Sequence, residues 1–308
     1  MALNSRTAAA SRFVLELDGQ HAAQIKELSG GDWENDVALS DHGPMQMQSK
    51  MGTVIKFAPF KAKVGISQAG PMNEWIRASW ARQYATKAGA IVTADFNLDA
   101  LTRRDFVGAL ISKVTLPTFD AKAKEAAFIE VEWEAENVLD SPAGGGKIKG
   151  DYGKAHMKNW IPANFKFDLA GLTEACGRVS KIDSFSWVQK ISKDYVGPLR
   201  HATLHPSSVT IPDLKITLSA ADYGPWRDWA KAWFHDGKST ADYHKDGFIE
   251  FLSTDMSQSI GRIDLKQCGL KKVTAPPMKA NTEDIASVVA ELFVEEMEFN
   301  MVGSHLDL

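Results

Sequence analysis

The sequence predicts a mainly β protein (α+β) built from two similar units in tandem, each a set of strands around one α-helix. Three observations lead there. Short apolar runs alternate at period two, a stretch with helical apolar spacing occurs twice, and segments of the first half recur in order in the second.

FVLELDG at 13–19 returns as FKFDLAG at 165–171, and KAKVGIS at 61–67 as DLKITLS at 213–219. Gly70-Pro71 then matches Gly224-Pro225, and KVTLP at 113–117 matches KVTAP at 272–276. The order is preserved while the spacing drifts slightly, as expected where loops lengthen and elements persist. The expected division is a first domain over residues 1–140, recognisable from residue 12, and a second over 164–308, recognisable to residue 302. Between them DSPAGGGKIKGDYGKAHMKNWIPAN reads as a linker over 141–163, because glycine and proline punctuate structure.

Each opening strand alternates: Phe13, Leu15 and Leu17 in one unit, Phe165, Phe167 and Leu169 in the other. A further strand carries Phe60, Ala62, Val64 and Ile66, matched by Leu214, Ile216 and Leu218. Strand following strand without intervening helices favours antiparallel sheets. The helix of each unit starts at a Gly-Pro, where proline fits the first turn. Met72, Trp75, Ile76, Ser79 and Trp80 form its apolar stripe, repeated as Trp226, Trp229, Ala230, Trp233 and Phe234, with Gly89 and Gly237 as expected stops.

The closing strands carry the most charge. In AFIEVEWEAENV, Ile129, Val131, Trp133 and Ala135 share one face, and Glu130, Glu132, Glu134 and Glu136 the other. In LFVEEMEFNMV, Phe293, Met297, Phe299 and Met301 are assigned to one face, with Glu295 as an exception, and Glu296 and Glu298 to the other.

Length and composition bound the function. A chain of 308 residues suits two domains, and 44% apolar with 24% charged residues is ordinary for a folded globular chain. A net charge of −4 argues against a strongly basic nucleic-acid surface. Two cysteines, Cys176 and Cys268, read as free thiols. No apolar run reaches the length of a spanning helix or a secretory signal, so neither membrane insertion nor general export is expected.

Catalytic signals fail one by one. GGGK at 144–147 is followed by Ile148 where a phosphate loop needs Ser or Thr. HATLH at 201–205 lacks the glutamate base of a zinc helix, and Pro206 follows it. His235, Asp236, Tyr243, His244 and Asp246 lie just past a helix, where such residues gather for structural reasons. No catalytic, cofactor or metal residues are assigned, and no cofactor is expected.

FVLELDGQHAAQIKELSG, then VIKFAPFKAKVGIS, then a Trp-containing helix, then KVTLPTFDAKAKEAAFIEVEWEAENV resembles the tail tube proteins of contractile-tailed bacteriophages and related contractile injection systems. The resemblance covers nearly all of 12–140 and, more faintly, 164–302. In that family an F-x-L-E-I-D-G strand leads to Ser-Gly, here Ser29-Gly30, whereas the second copy has Val179-Ser180-Lys181. A usual tube subunit is one such unit.

The resemblance implies that each unit is a tail-tube-like β-barrel or sandwich with one flanking α-helix, and that hexameric rings stack into a hollow tube inside a sheath. This chain would form them as a trimer acting as a pseudo-hexamer, or as a hexamer, with sheath and baseplate proteins as partners. DNA or effector cargo would pass without tight binding, in a virion tail or injection-system particle assembled in the bacterial cytoplasm. It implies that Glu130, Glu132, Glu134, Glu136, Glu296 and Glu298 are candidates for the channel wall, an ordinary solvated face being the other reading. The long, irregular connection from Gly31 to Met51, with Trp33, Met45, Met47 and Met51, is the candidate inter-subunit loop. A baseplate hub or tube-terminating protein is the nearest alternative. A two-domain β-barrel that binds a ligand or performs hydrolysis through His201, His205 or His244 is the alternative of another class.

Overall fold

The alternation in FVLELDG produces a strand whose Leu15 and Leu17 are buried. The computed structural model describes residues 12–23, 25–41, 48–66, 70–144, 146–148, 160–274 and 286–301. In the first half the elements are β1 (Arg12–Leu17), β2 (Gln20–Ala23), β3 (Ile25–Ser29), β4 (Trp33–Asp41), β5 (Gln48–Phe57) and β6 (Phe60–Val64). They continue with α1 (Gly70–Trp80), β7 (Lys87–Ala94), β8 (Ala100–Leu116), β9 (Phe119–Asp120), β10 (Ile129–Glu134) and β11 (Asn137–Pro142). The second half holds β12 (Phe165–Leu169), α2 (Thr173–Cys176), β13 (Val179–Ile182), β14 (Phe185–Asp194) and β15 (Thr203–Thr210). It ends with β16 (Leu214–Ser219), α3 (Tyr223–Phe234), β17 (Lys245–Leu252), β18 (Ser259–Thr274) and β19 (Ser287–Met301).

The first half pairs in the order β1-β7-β8-β10-β6-β3, and the second in the order β12-β17-β18-β19-β16-β13. Every pairing is antiparallel. Matching details recur at matching places. Asp18 and Ala170 donate their N–H groups to the carbonyls of Ala88 and Asp246. Gly89 and Gly247 lie where a Cβ would stand 2.4 Å and 2.3 Å from the carbonyl oxygens of Glu16 and Asp168. Arg103 donates to Asp105, and Arg262 to Asp264.

The strand register refines the sequence match. Lys61 lies opposite Glu132 and Lys215 opposite Glu291, so Lys61 answers to Lys215 and not to the Asp213 that KAKVGIS and DLKITLS equate. A slip by two preserves the face of every side chain, which is why the apolar pattern alone concealed it.

Three further expectations change. Gly89 does not stop the helix: α1 ends at Trp80 and Gly89 lies within β7, where the close carbonyl of Glu16 requires the absence of a Cβ. The connection from Gly31 to Met51 is no irregular loop, since β4 and β5 pair as a hairpin from Trp33↔Phe57 to Asp41↔Gln48. Its apolar residues Trp33, Val37, Leu39 and Met51 are exposed, so no buried face imposed a period on the sequence. Thirdly, β19 changes face at its middle: Val294 and Met297 are both buried while Glu295 and Glu296 are both exposed. Phe293 therefore lies opposite Met297 in facing, and Glu295 is no exception. Gln267, at φ 54° on the neighbouring β18, stands at this change of face and is the residue by which β18 shifts register against β17, as Gly108 at φ 64° is where β8 shifts against β7.

The two halves share one hydrophobic core. β8 runs past the end of β7 and there pairs with β14, from Phe185↔Leu116 to Val188↔Lys113. Trp187 of β14 is buried and stacks on Trp80 of α1 with ring centroids 5.8 Å apart. Phe119 of β9 packs among Trp160, Phe165, Phe185 and Phe251. Trp160, which the sequence assigns to the linker, is thus a buried core residue, its indole N–H donating to the Asn164 carbonyl at 3.1 Å.

Candidate functional site

Alternation along β10 buries Ile129, Val131 and Trp133 and leaves Glu130, Glu132 and Glu134 half-buried on the other face. Trp133 anchors the strand from below, stacked on Phe60 at 5.3 Å. The glutamates do not stand alone, because β6 and β8 flank β10 and both place lysines on the same face. Glu132 lies 3.3 Å from Lys61 and 3.6 Å from Lys113. Glu134 meets Lys193 of β14 at 2.7 Å, an ion pair between the halves. Glu136 accepts a hydrogen bond from the Leu204 N–H at 2.9 Å, a second link between them.

The face is therefore a lattice of alternating charge. Lys63, hydrogen-bonded to Glu27 and close to Glu130, has its pKa raised mainly by that hydrogen bond. In the second half Glu298 pairs with Lys266, whose pKa that hydrogen bond raises, with Glu296 adding to the effect. The structure brings Glu130, Glu132 and Glu134 together on β10 and sets Glu136 at the junction between the halves. Glu296 and Glu298 lie on β19 beyond its change of face, at positions that answer to Asn137 and Leu139. The direct counterparts of Glu132 and Glu136 are Glu291 and Glu295. Sequence reasoning missed the lysines: Lys61 and Lys63 lie in a segment read as a strand, but nothing local shows that this strand and the one carrying Lys113 flank β10.

The hairpin candidates divide. Trp33 and Met51 are exposed at 57% and 61%. Met45 and Met47 lie outside the described residues.

The residues weighed for chemistry are scattered. His205 is exposed on β15, and His201 lies beside its neighbour's carbonyl. His244 is wedged between Trp233 and Phe293, each at 5.4 Å, with Glu295 at 3.7 Å. Lys147 of the GGGK stretch forms a β-bridge with Asp99. Among the described residues no group of three or more potential metal ligands occurs. Cys176 and Cys268 are buried free thiols, and burial pushes the pKa of each up to about 12. Among the described residues no helix is long and apolar enough to cross a membrane.

Residues 9–138 match the profile of the family described as T4-like virus tail tube protein gp19. Over that stretch, 130 of the chain's 308 residues, the chain is similar to the tail tube family. The matched stretch runs from the approach to β1 into β11 and includes the glutamate face, the β4–β5 hairpin and α1. Tail tube proteins are structural components.

Solved structures similar to this chain include the tube-terminating cap of the anti-feeding prophage, at 22% identity and a TM-score of 0.41, covering 46% of this chain and 95% of that one. A chain of the sheath-tube complex of an extracellular contractile injection system is similar at 18% identity and a TM-score of 0.41, with the same coverage. Hcp1 from Flavobacterium johnsoniae is similar at 12% identity and a TM-score of 0.27, over 44% of this chain and 93% of that one. No curated protein sequence matches.

Proposed function

We propose that the whole chain is a double-length, non-catalytic structural subunit of a contractile tail or injection-system tube, with two tube-type units in one polypeptide, residues 1–140 and 164–308. One observation carries this reading: the strand order inside the family-matched residues recurs, element for element, outside them. The paired Arg-Asp contacts, the two glycines facing carbonyls and the two bulged positions support it. Strand edges left open on such a unit favour closure with neighbours into a ring.

In this reading copies of the chain form rings of six units, three chains to a ring, that stack around a channel. Sheath and baseplate proteins are the expected partners, in a virion tail or injection-system particle. The face bearing Glu130, Glu132 and Glu134 with their lysines is the proposed wall, along which DNA or a protein cargo passes without tight binding. Glu132, 3.3 Å from Lys61 and 3.6 Å from Lys113, and Glu134, 2.7 Å from Lys193, are balanced by ammonium groups, which leaves little net field to hold a charged cargo.

Negative-stain microscopy of the purified protein tests the reading. Rings with a central hole, alone or stacked, are expected. Protein that remains a single small particle at high concentration overturns it.

A further inference from the structure

The junction between the halves is asymmetric, and each half keeps the piece that the other has used. β8 offers an open edge beyond β7, and β14 fills it. The equivalent edge of β18, beyond its last pair with β17 at Lys245↔Cys268, has no strand partner among the described residues. The equivalent of β14 is β4, which pairs with β5 alone.

The equivalence is fixed by register. β4 and β5 pair as Glu34↔Lys56, Asn35↔Ile55, Val37↔Gly52 and Ala38↔Met51. β14 and β15 pair as Val188↔Thr210, Gln189↔Val209, Ile191↔Pro206 and Ser192↔His205, and both hairpins shift register at the same step. Trp33 therefore answers to Trp187. With the Gly-Pro of the two helices aligned, Trp80 of α1 answers to Phe234 of α3.

Burial differs sharply between the used and unused pairs. Trp187 and Trp80 are 1% and 5% exposed, whereas Trp33 and Phe234 are 57% and 50% exposed. Val114, opposite Trp187 in the ladder, is fully buried, but its counterpart Val273 is only partly covered. Two large aromatic residues thus lie bare at the two positions whose counterparts stack on each other.

We propose that β4 of one chain adds to the free edge of β18 in a second copy of the same chain, with Trp33 stacking on Phe234. The inference rests on the two-unit reading above and names the contact by which copies meet. Transferring the internal ladder sets Trp33 against Val273, Glu34 against Lys272 and Asp32 against Thr274 of the neighbour. Internally the residues at the second and third of these pairs are Val188 with Lys113, and Ser186 with Thr115 hydrogen-bonded at 2.9 Å.

The side chains that differ between the junctions change together. Lys272 gains a carboxylate partner, and Thr274 an acceptor for its hydroxyl. The internal ion pair Lys193–Glu134 becomes Leu39 with Phe293, apolar on both sides, and Leu39 is 59% exposed in the single chain. The Leu204 N–H that donates to Glu136 becomes that of Lys50, and Glu295, the counterpart of Glu136, is exposed to receive it. Substitution in step on two distant surfaces of one chain is what an interface between copies requires. Because the offered edge and the receiving edge are different surfaces, the contact is head-to-tail, which closes only as a ring or runs on as a filament.

Paired cysteines read the contact. Directly opposed antiparallel residues stand about 4.5–5.5 Å apart between Cα atoms, within reach of a disulfide. Oxidised Glu34→Cys/Lys272→Cys protein should give chains linked to one another, running as a ladder to three chains on a non-reducing gel, while either single variant stays unlinked. Lys113→Cys/Val188→Cys should close within one chain and serves as the internal reference. The native Cys176 and Cys268 are buried, which keeps the background low. Trp33→Ala should weaken association about 30-fold, the effect of losing a central tryptophan, with the unfolding of the single chain unchanged. A Glu34→Cys/Lys272→Cys link formed within one chain overturns the proposal. Rings that form without the link and without dependence on Trp33 overturn it too, and leave the tube reading standing. Chains that never associate, although the internal reference closes, overturn both.

Discussion

Trp80 and Trp187 stack at 5.8 Å with their planes 20° apart, one from the helix of the first half and one from a strand of the second. The stack closes the junction where β14 completes β8, and both rings are almost fully removed from water. Replacing Trp187 with alanine removes this contact and opens a cavity between the halves. A loss of about 3–5 kcal/mol in unfolding free energy is expected, measured by urea denaturation. A loss below about 1 kcal/mol would mean that the halves do not depend on the stack.

Gly89 and Gly247 make the same demand in the two halves. An alanine Cβ would lie 2.4 Å from the Glu16 oxygen in one and 2.3 Å from the Asp168 oxygen in the other, so the opening strand must move away. Each Gly→Ala variant should lower stability by roughly 2 kcal/mol. Gly144→Ala, with nothing within 4 Å of the added atom, should change it by less than about 0.5 kcal/mol. Thermal melts of the three variants decide the matter, and similar midpoints for all three would refute the close approach.

Asp18 and Asp183 contribute to the acid limb of stability. A hydrogen bond from Lys87 holds the Asp18 pKa below its ordinary 3.8, and one from Lys181 does the same for Asp183. A carboxylate with a depressed folded-state pKa stabilises above its unfolded value, and the stabilisation is lost as pH falls through the folded value. Stability should therefore decline below about pH 4. Both pairs are partly exposed, so each contributes less than about 1 kcal/mol. In the double variant Lys87→Met/Lys181→Met, the difference in unfolding free energy between pH 7 and pH 3 should narrow by roughly 1 kcal/mol. An undiminished difference would assign the acid limb to other groups.

Cys176 and Cys268, with pKa values pushed up to about 12, carry almost no thiolate at neutral pH. Iodoacetamide should leave both unmodified in the folded protein and label both in denaturant, read by intact mass. Rapid labelling of either in the native state would place it at a surface.

The elements that bury one face were legible in the sequence: the opening strands, β6 and its counterpart β16, the helices and β10 all show the period of their structure. What escaped it depends on partners distant in the chain. Nothing local in FSWVQK announces that Trp187 is buried, because the strand that covers it, β8, lies some seventy residues upstream. The β4–β5 hairpin escaped for the complementary reason, since Trp33, Val37, Leu39 and Met51 are exposed and leave no alternation to detect. Of the candidate site, the glutamate row on β10 was readable from alternation. The lysines that balance it were not, because charge neutralisation across strands depends on which strands are neighbours.

The β8–β14 junction also separates two kinds of permanence. Because one polypeptide carries both of its sides, that seam survives any dilution, held at an effective concentration set by the chain itself. A seam between chains obeys mass action and comes apart first when the protein is diluted. Disassembly should then release whole doublets and never single halves, and a particle assembled from them needs half as many encounters as one built from separate units.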